Sequence, residues 1–164
     1  MSVLMLIFTS CGEKNVPVSS QENLLQQQDV GCVYLGSIML NQHTDIGRVN
    51  ITNNINGISI TIPSVSPVNV NVIHIKVSTQ LGNPGAPGQF PVHIENPGLP
   101  NVYQFSWSQF GLSYQPGQTL YYYIHFETNQ GTAWSGYDCM RVGGNGNGNG
   151  NGKWICYIRG NTCE

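Results

Sequence analysis

The chain has 164 residues, of which 9% are charged, and a formal net charge of -2. That length suits one domain behind a short leader. So few Lys and Arg leave no basic patch to neutralise phosphates, which excludes nucleic-acid binding from the expected roles. At 40% hydrophobic residues, with apolar positions alternating along much of the chain, the Asn- and Gln-rich sequence predicts a packed core rather than disorder.

Val3 to Phe8 form an uninterrupted apolar run, followed by Thr9, Ser10 and Cys11. The run is far shorter than the roughly 20 residues of a membrane-spanning helix, and it suits the core of a signal peptide. Small residues before a Cys resemble the lipobox of bacterial lipoproteins. The resemblance implies that residues 1–10 are a removed leader and that Cys11 carries the lipid. Residues 11–29 include Pro17, Ser19, Ser20 and Gln26-Gln27-Gln28 and carry little apolar periodicity, as a flexible tether would. The alternative is an edge strand over Val3 to Phe8, with Cys11 a disulfide partner. The domain proper is expected over residues 30–164.

Within it, strand signals recur between turn signals. Val33 and Leu35 begin a strand, and Val49 and Ile51 alternate in the next. Asn53 to Gly57 read as a hairpin turn on the Asn56-Gly57 pair, followed by Ile58, Ile60 and Ile62 at every second position. Val68, Val70 and Val72 then give way to Ile73, Ile75 and Val77. This change of phase predicts a β-bulge near Val72 and Ile73. Asn83 to Gln89 form a Gly/Pro loop, and Tyr103, Phe105 and Trp107 another strand. Leu120, Tyr122, Ile124 and Phe126 share one face of a further strand, and Tyr121, Tyr123 and His125 share the other. Ala133 to Met140 and Trp154 to Ile158 flank a Gly-Asn tract at 143–152. Outside the leader and tether no window holds a helical period. The predicted fold is an all-β, single-domain antiparallel β-sandwich of about eight strands.

Five Cys stand at 11, 32, 139, 156 and 163. Acylation of Cys11 removes the odd one. Cys139 and Cys156 lie equally far outside the two ends of the Gly-Asn tract, so an antiparallel hairpin on that loop sets them opposite each other, within disulfide reach. This predicts Cys139–Cys156 and, by elimination, Cys32–Cys163. Buried free thiols are the alternative.

Four motifs carry a further resemblance: Asn41-Gln42-His43-Thr44-Asp45-Ile46-Gly47-Arg48-Val49-Asn50-Ile51-Thr52-Asn53, Pro84-Gly85-Ala86-Pro87-Gly88-Gln89-Phe90-Pro91, Gly131-Thr132-Ala133-Trp134, and Gly152-Lys153-Trp154 with Cys156 and Tyr157. In this order they resemble a family of exported β-domains of Gram-negative environmental bacteria, with "PGQFP" and "TAWA"-type motifs, over roughly Ile38 to Ile158. The resemblance implies fold and export and no particular activity. Ser135 after the Trp and the long Gly-Asn tract depart from it.

No catalytic set is legible. His43, His74, His93 and His125 have no ligand spacing, and His74 and His125 are expected to point outward from their sheets, so neither a metal site nor a cofactor is expected. Glycosidase chemistry needs two carboxylates flanking a sugar; Glu95 and Glu127 could be brought together, but nothing in the sequence says so. The candidate ligand platform is aromatic: Tyr121, Tyr123, His125 and Trp134, with Trp134 and Trp154 also read as packing residues. The expected role is a lipid-anchored, non-catalytic binding or structural module on the outer membrane, facing the surface or the periplasm, with a glycan or an outer-membrane protein as partner. The alternatives are a carbohydrate-binding accessory lipoprotein of a polysaccharide uptake system and a hydrolase with an unrecognised site.

Overall fold

The computed structural model describes residues 32–65, 67–143 and 153–163. The expected leader, Cys11, the expected tether and most of the Gly-Asn tract lie outside the described residues. The described fold is all-β. Its ten strands are β1 (Cys32–Leu40), β2 (Thr44–Asn54), β3 (Gly57–Ile62), β4 (Val70–Ser78), β5 (Val92–Glu95), β6 (Asn101–Phe105), β7 (Thr119–Thr128), β8 (Gly131–Ser135), β9 (Asp138–Val142) and β10 (Lys153–Asn161). Among the described residues no helix is long and apolar enough to cross a membrane.

Eight strands follow one antiparallel path, β5-β4-β7-β8-β1-β2-β3-β6, with β10 pairing both β7 and β9 off that path. Alternation decides which side chains face inward. Val49 and Ile51 of β2, Ile58, Ile60 and Ile62 of β3, and Leu120, Tyr122, Ile124 and Phe126 of β7 join one buried cluster with Ile73, Ile75 and Val77 of β4. Burying each such aliphatic side chain contributes roughly 2 kcal/mol. One cluster fed from strands all along the path means that the sheet curls around it. Asn53 of β2 crosses this core: its side-chain amide donates to the Tyr122 hydroxyl at 2.9 Å and to the Asn161 carbonyl at 3.1 Å.

β1 and β10 approach each other where glycine leaves room. A Cβ on Gly36 would lie 2.4 Å from the Ile158 side chain, and one on Gly160 would lie 2.7 Å from the Tyr34 ring. Each glycine of β1 and β10 thus receives a side chain of the other strand.

Several sequence expectations shift by a residue or two. The strand register slips between Val70 and Val72, the bulge that the phase change required. The β2–β3 turn is narrower than expected: Asn53 and Asn54 remain in β2, and Asn54 pairs with Gly57. Trp107 is not a strand residue. It opens a 3-10 turn, Trp107–Phe110, whose Ser106 and Gln109 form a capping box. Val33 and Leu35 face solvent, while Tyr34 and Ile38 face inward. Ala133 to Met140 is two strands, broken at Gly136, whose φ of +148° and contact with the Tyr157 backbone admit no side chain.

Both predicted disulfides are present. Cys139 and Cys156 are direct cross-strand partners in β9 and β10, with Cα atoms 4.0 Å apart. Cys32–Cys163 ties the start of β1 to the end of β10, with Cα atoms 5.4 Å apart.

Candidate functional site

The outer face of β7 is not open at Tyr123. Tyr123 is buried in a second apolar cluster with Phe90 and Ile155, and Tyr121, Trp134, Met140, Val142 and Tyr157 pack against it. β10 accounts for this. Its second half pairs with β7, whereas its first half leaves that sheet to pair with β9. The β9–β10 hairpin and the Phe90 loop thereby supply the side chains that cover β7. The Tyr123 hydroxyl donates to the Gly82 carbonyl at 3.1 Å and accepts from the Gly82 N–H. Burial pushes its pKa up. Of the expected platform residues, Tyr123 is thereby corrected, being 1% exposed; Tyr121 is half-buried and packs edge-on against Tyr157 with ring centroids 5.8 Å apart. Periodicity separates the two faces of a strand but does not say whether the second face is covered.

Farther along the same face lies a polar row. Register sets His93 of β5 opposite His74 of β4, His74 opposite His125 of β7, and His125 opposite Trp134 of β8. Four rings thus lie side by side across four strands, with successive centroids 4.7, 5.7 and 4.7 Å apart. Two residues along, Glu95 and Glu127 stand on either side of Val72. His74 Nε2 meets Glu127 Oε1 at 2.9 Å, His74 Nδ1 meets His93 Nδ1 at 3.1 Å, and His93 Nε2 meets Glu95 Oε1 at 3.2 Å.

His74 and His125 do lie on the face away from the main core, but both are buried. The outward exposure expected of them is corrected, because covering elements close over the sheet. Burial, followed by the charge of His74, lowers the His125 pKa from 6.5 to about 4, so its ring is neutral at physiological pH. Its Nδ1 is buried without a hydrogen-bond partner. One ring nitrogen each from His74 and His125 and one carboxylate oxygen of Glu127 lie within 4.8 Å of one another. No sequence spacing could show this for His74, which reaches the others only through strand pairing. The His125-x-Glu127 spacing, two residues on one strand face, was the one available signal.

Beside this row opens a cleft of about 840 Å³. His125, Glu127 and Trp134 line it from the sheet, Asn83 and Pro87 from the Gly/Pro loop, and Trp154 from the hairpin. Trp134 is half-buried against His125 and Phe90. Trp154, read as a packing residue, is instead 45% exposed. It also lines a second cleft, of about 460 Å³, with His43, Tyr137 and the Cys139–Cys156 bridge. Tyr137, which the sequence did not single out, is 62% exposed. Residues of all four motifs named above line one or other of these clefts. In comparison with known proteins, no family model, no curated protein and no solved structure matches the chain.

Proposed function

We propose that the chain is an exported, non-catalytic binding module, held at the outer membrane by lipid on Cys11, and that its ligand is a carbohydrate taken up on Trp154. The observation that carries this reading is the exposed indole of Trp154 between two clefts, near Tyr137 and a set of amide side chains. Aromatic faces stack on the apolar faces of sugar rings, and Asn41, Gln42 and Asn83 supply neutral donors and acceptors for hydroxyl groups. The low charge of the chain fits a neutral ligand better than an anionic one. Two disulfides fit an oxidising compartment, in keeping with export.

A glycan array followed by tryptophan-fluorescence titration tests the ligand. Binding is expected to be lost in Trp154→Ala, reduced in Tyr137→Ala and retained in Tyr121→Phe. A glycan bound equally well by Trp154→Ala, or no glycan bound at all, overturns the reading. The anchor is tested separately: labelled palmitate should enter the protein and fail to enter Cys11→Ala.

A further inference from the structure

We propose that His74, His125 and Glu127 bind one divalent transition-metal ion of the zinc class at the edge of the larger cleft. This assignment is independent of the carbohydrate reading, since it rests on the ligand geometry and the hydrogen bonding of the histidine row.

The three ligand atoms are held by two paired strands. His125 and Glu127 are two residues apart on β7 and so share a face, and His74 of β4 stands directly opposite His125. Zinc-to-ligand bonds of about 2.0–2.2 Å set the ligand atoms of a tetrahedral site about 3.3 Å apart. The His74–Glu127 contact, at 2.9 Å, is already of that size. All three atoms fall within 4.8 Å, and the Glu127 side chain, half exposed, is free to close the remaining gap.

Hydrogen-bond counting points to a cation at the same place. The chain Glu127–His74–His93–Glu95 contains three close contacts, and each needs one proton between its two atoms. If both imidazoles are neutral, they carry only two. If His93 Nε2–H donates to Glu95 and His74 Nδ1–H donates to His93, the His74 Nε2 lone pair faces the Glu127 carboxylate with nothing between them. Either an additional proton or a metal ion must occupy that contact. A metal there is also reached by a ring nitrogen of His125, whose Nδ1 is buried and lacks a partner. It leaves His74 donating through His93 to Glu95, the outer hydrogen bonding that fixes the tautomer of a metal-bound histidine.

The ligand set selects the class of ion. Two imidazoles and a single carboxylate suit zinc, nickel, cobalt or copper(II). Calcium and magnesium demand six or more oxygens, which the site does not offer. Three protein ligands leave a coordination position open, and His125 and Glu127 both border the cleft.

The test uses the full chain, purified without an affinity tag and stripped of metal. Calorimetric titration with Zn²⁺, without sugar, should give one equivalent per chain. Co²⁺ should give the visible absorption of a four- or five-coordinate site. Glu127→Gln, at a side chain exposed enough to spare the fold, should weaken Zn²⁺ binding at least about tenfold. His125→Gln should do the same, and Glu95→Gln should weaken it less. His43→Ala, outside the cluster, should leave it unchanged. Absence of saturable binding, binding that survives Glu127→Gln undiminished, or equal competition by Ca²⁺ would each overturn the assignment.

Discussion

Replacing both cysteines of one disulfide by alanine separates the two bridges by the length of chain that each closes. Cys32–Cys163 spans 131 residues of sequence and Cys139–Cys156 spans 17. A cross-link removes loop-closure entropy from the unfolded chain as the logarithm of loop length, which gives about 5 kcal/mol for the long loop and about 3 kcal/mol for the short one. The native ends should stay docked without the long bridge, because other bonds hold them. Tyr34 donates to the Asn161 carbonyl, the Asn53 side-chain oxygen accepts from the Cys163 N–H, and Tyr114 donates to the Cys163 carbonyl. Far-ultraviolet circular dichroism of Cys32→Ala/Cys163→Ala should therefore match the parent. In urea unfolding followed by tryptophan fluorescence, that variant should lose about 2 kcal/mol more than Cys139→Ala/Cys156→Ala, with a larger m-value because its unfolded chain expands further. Equal losses, or the reverse order, would show that the bridges act through native contacts and would refute the loop-length argument.

Three further perturbations address the core and the buried histidine. Gly136→Ala places a methyl group 2.2 Å from the Tyr157 carbonyl oxygen at a φ of +148°, and should cost about 3 kcal/mol in urea titration; a cost under about 0.5 kcal/mol would mean that the β8–β9 corner relaxes freely. Tyr122→Phe strips one partner from the buried Asn53 amide and should cost about 1–2 kcal/mol, and the loss should be non-additive with Asn53→Ala in a double-mutant cycle. His125 titrates at about 4 when folded and near 6.5 when unfolded, so the unfolded chain takes up the proton first as pH falls. With chelator present, its contribution of about 3 kcal/mol is complete above pH 6.5 and drains away as pH falls through 4. The difference between parent and His125→Gln should shrink over that window; a difference that holds constant from pH 7 to 4 would disprove the assignment.

The sequence by itself determined the strands with a clear alternation, because a two-residue period is written in side-chain polarity and needs no neighbour to be read. Ile58, Ile60 and Ile62, the phase change before Ile73, and the two faces of β7 were all legible on that basis. So was the Cys139–Cys156 pair, since an antiparallel hairpin maps distance from the loop directly onto cross-strand register. Tertiary structure alone decided which second faces are covered. Tyr123 and His125 alternate as surface residues would, yet Phe90 and Ile155, from a loop and a hairpin distant in sequence, close over the Tyr123 end of that face. It also decided the candidate site. His74, His93 and Trp134 meet His125 only because four strands pair in one particular register, and register depends on the whole hydrogen-bonded ladder rather than on any local spacing.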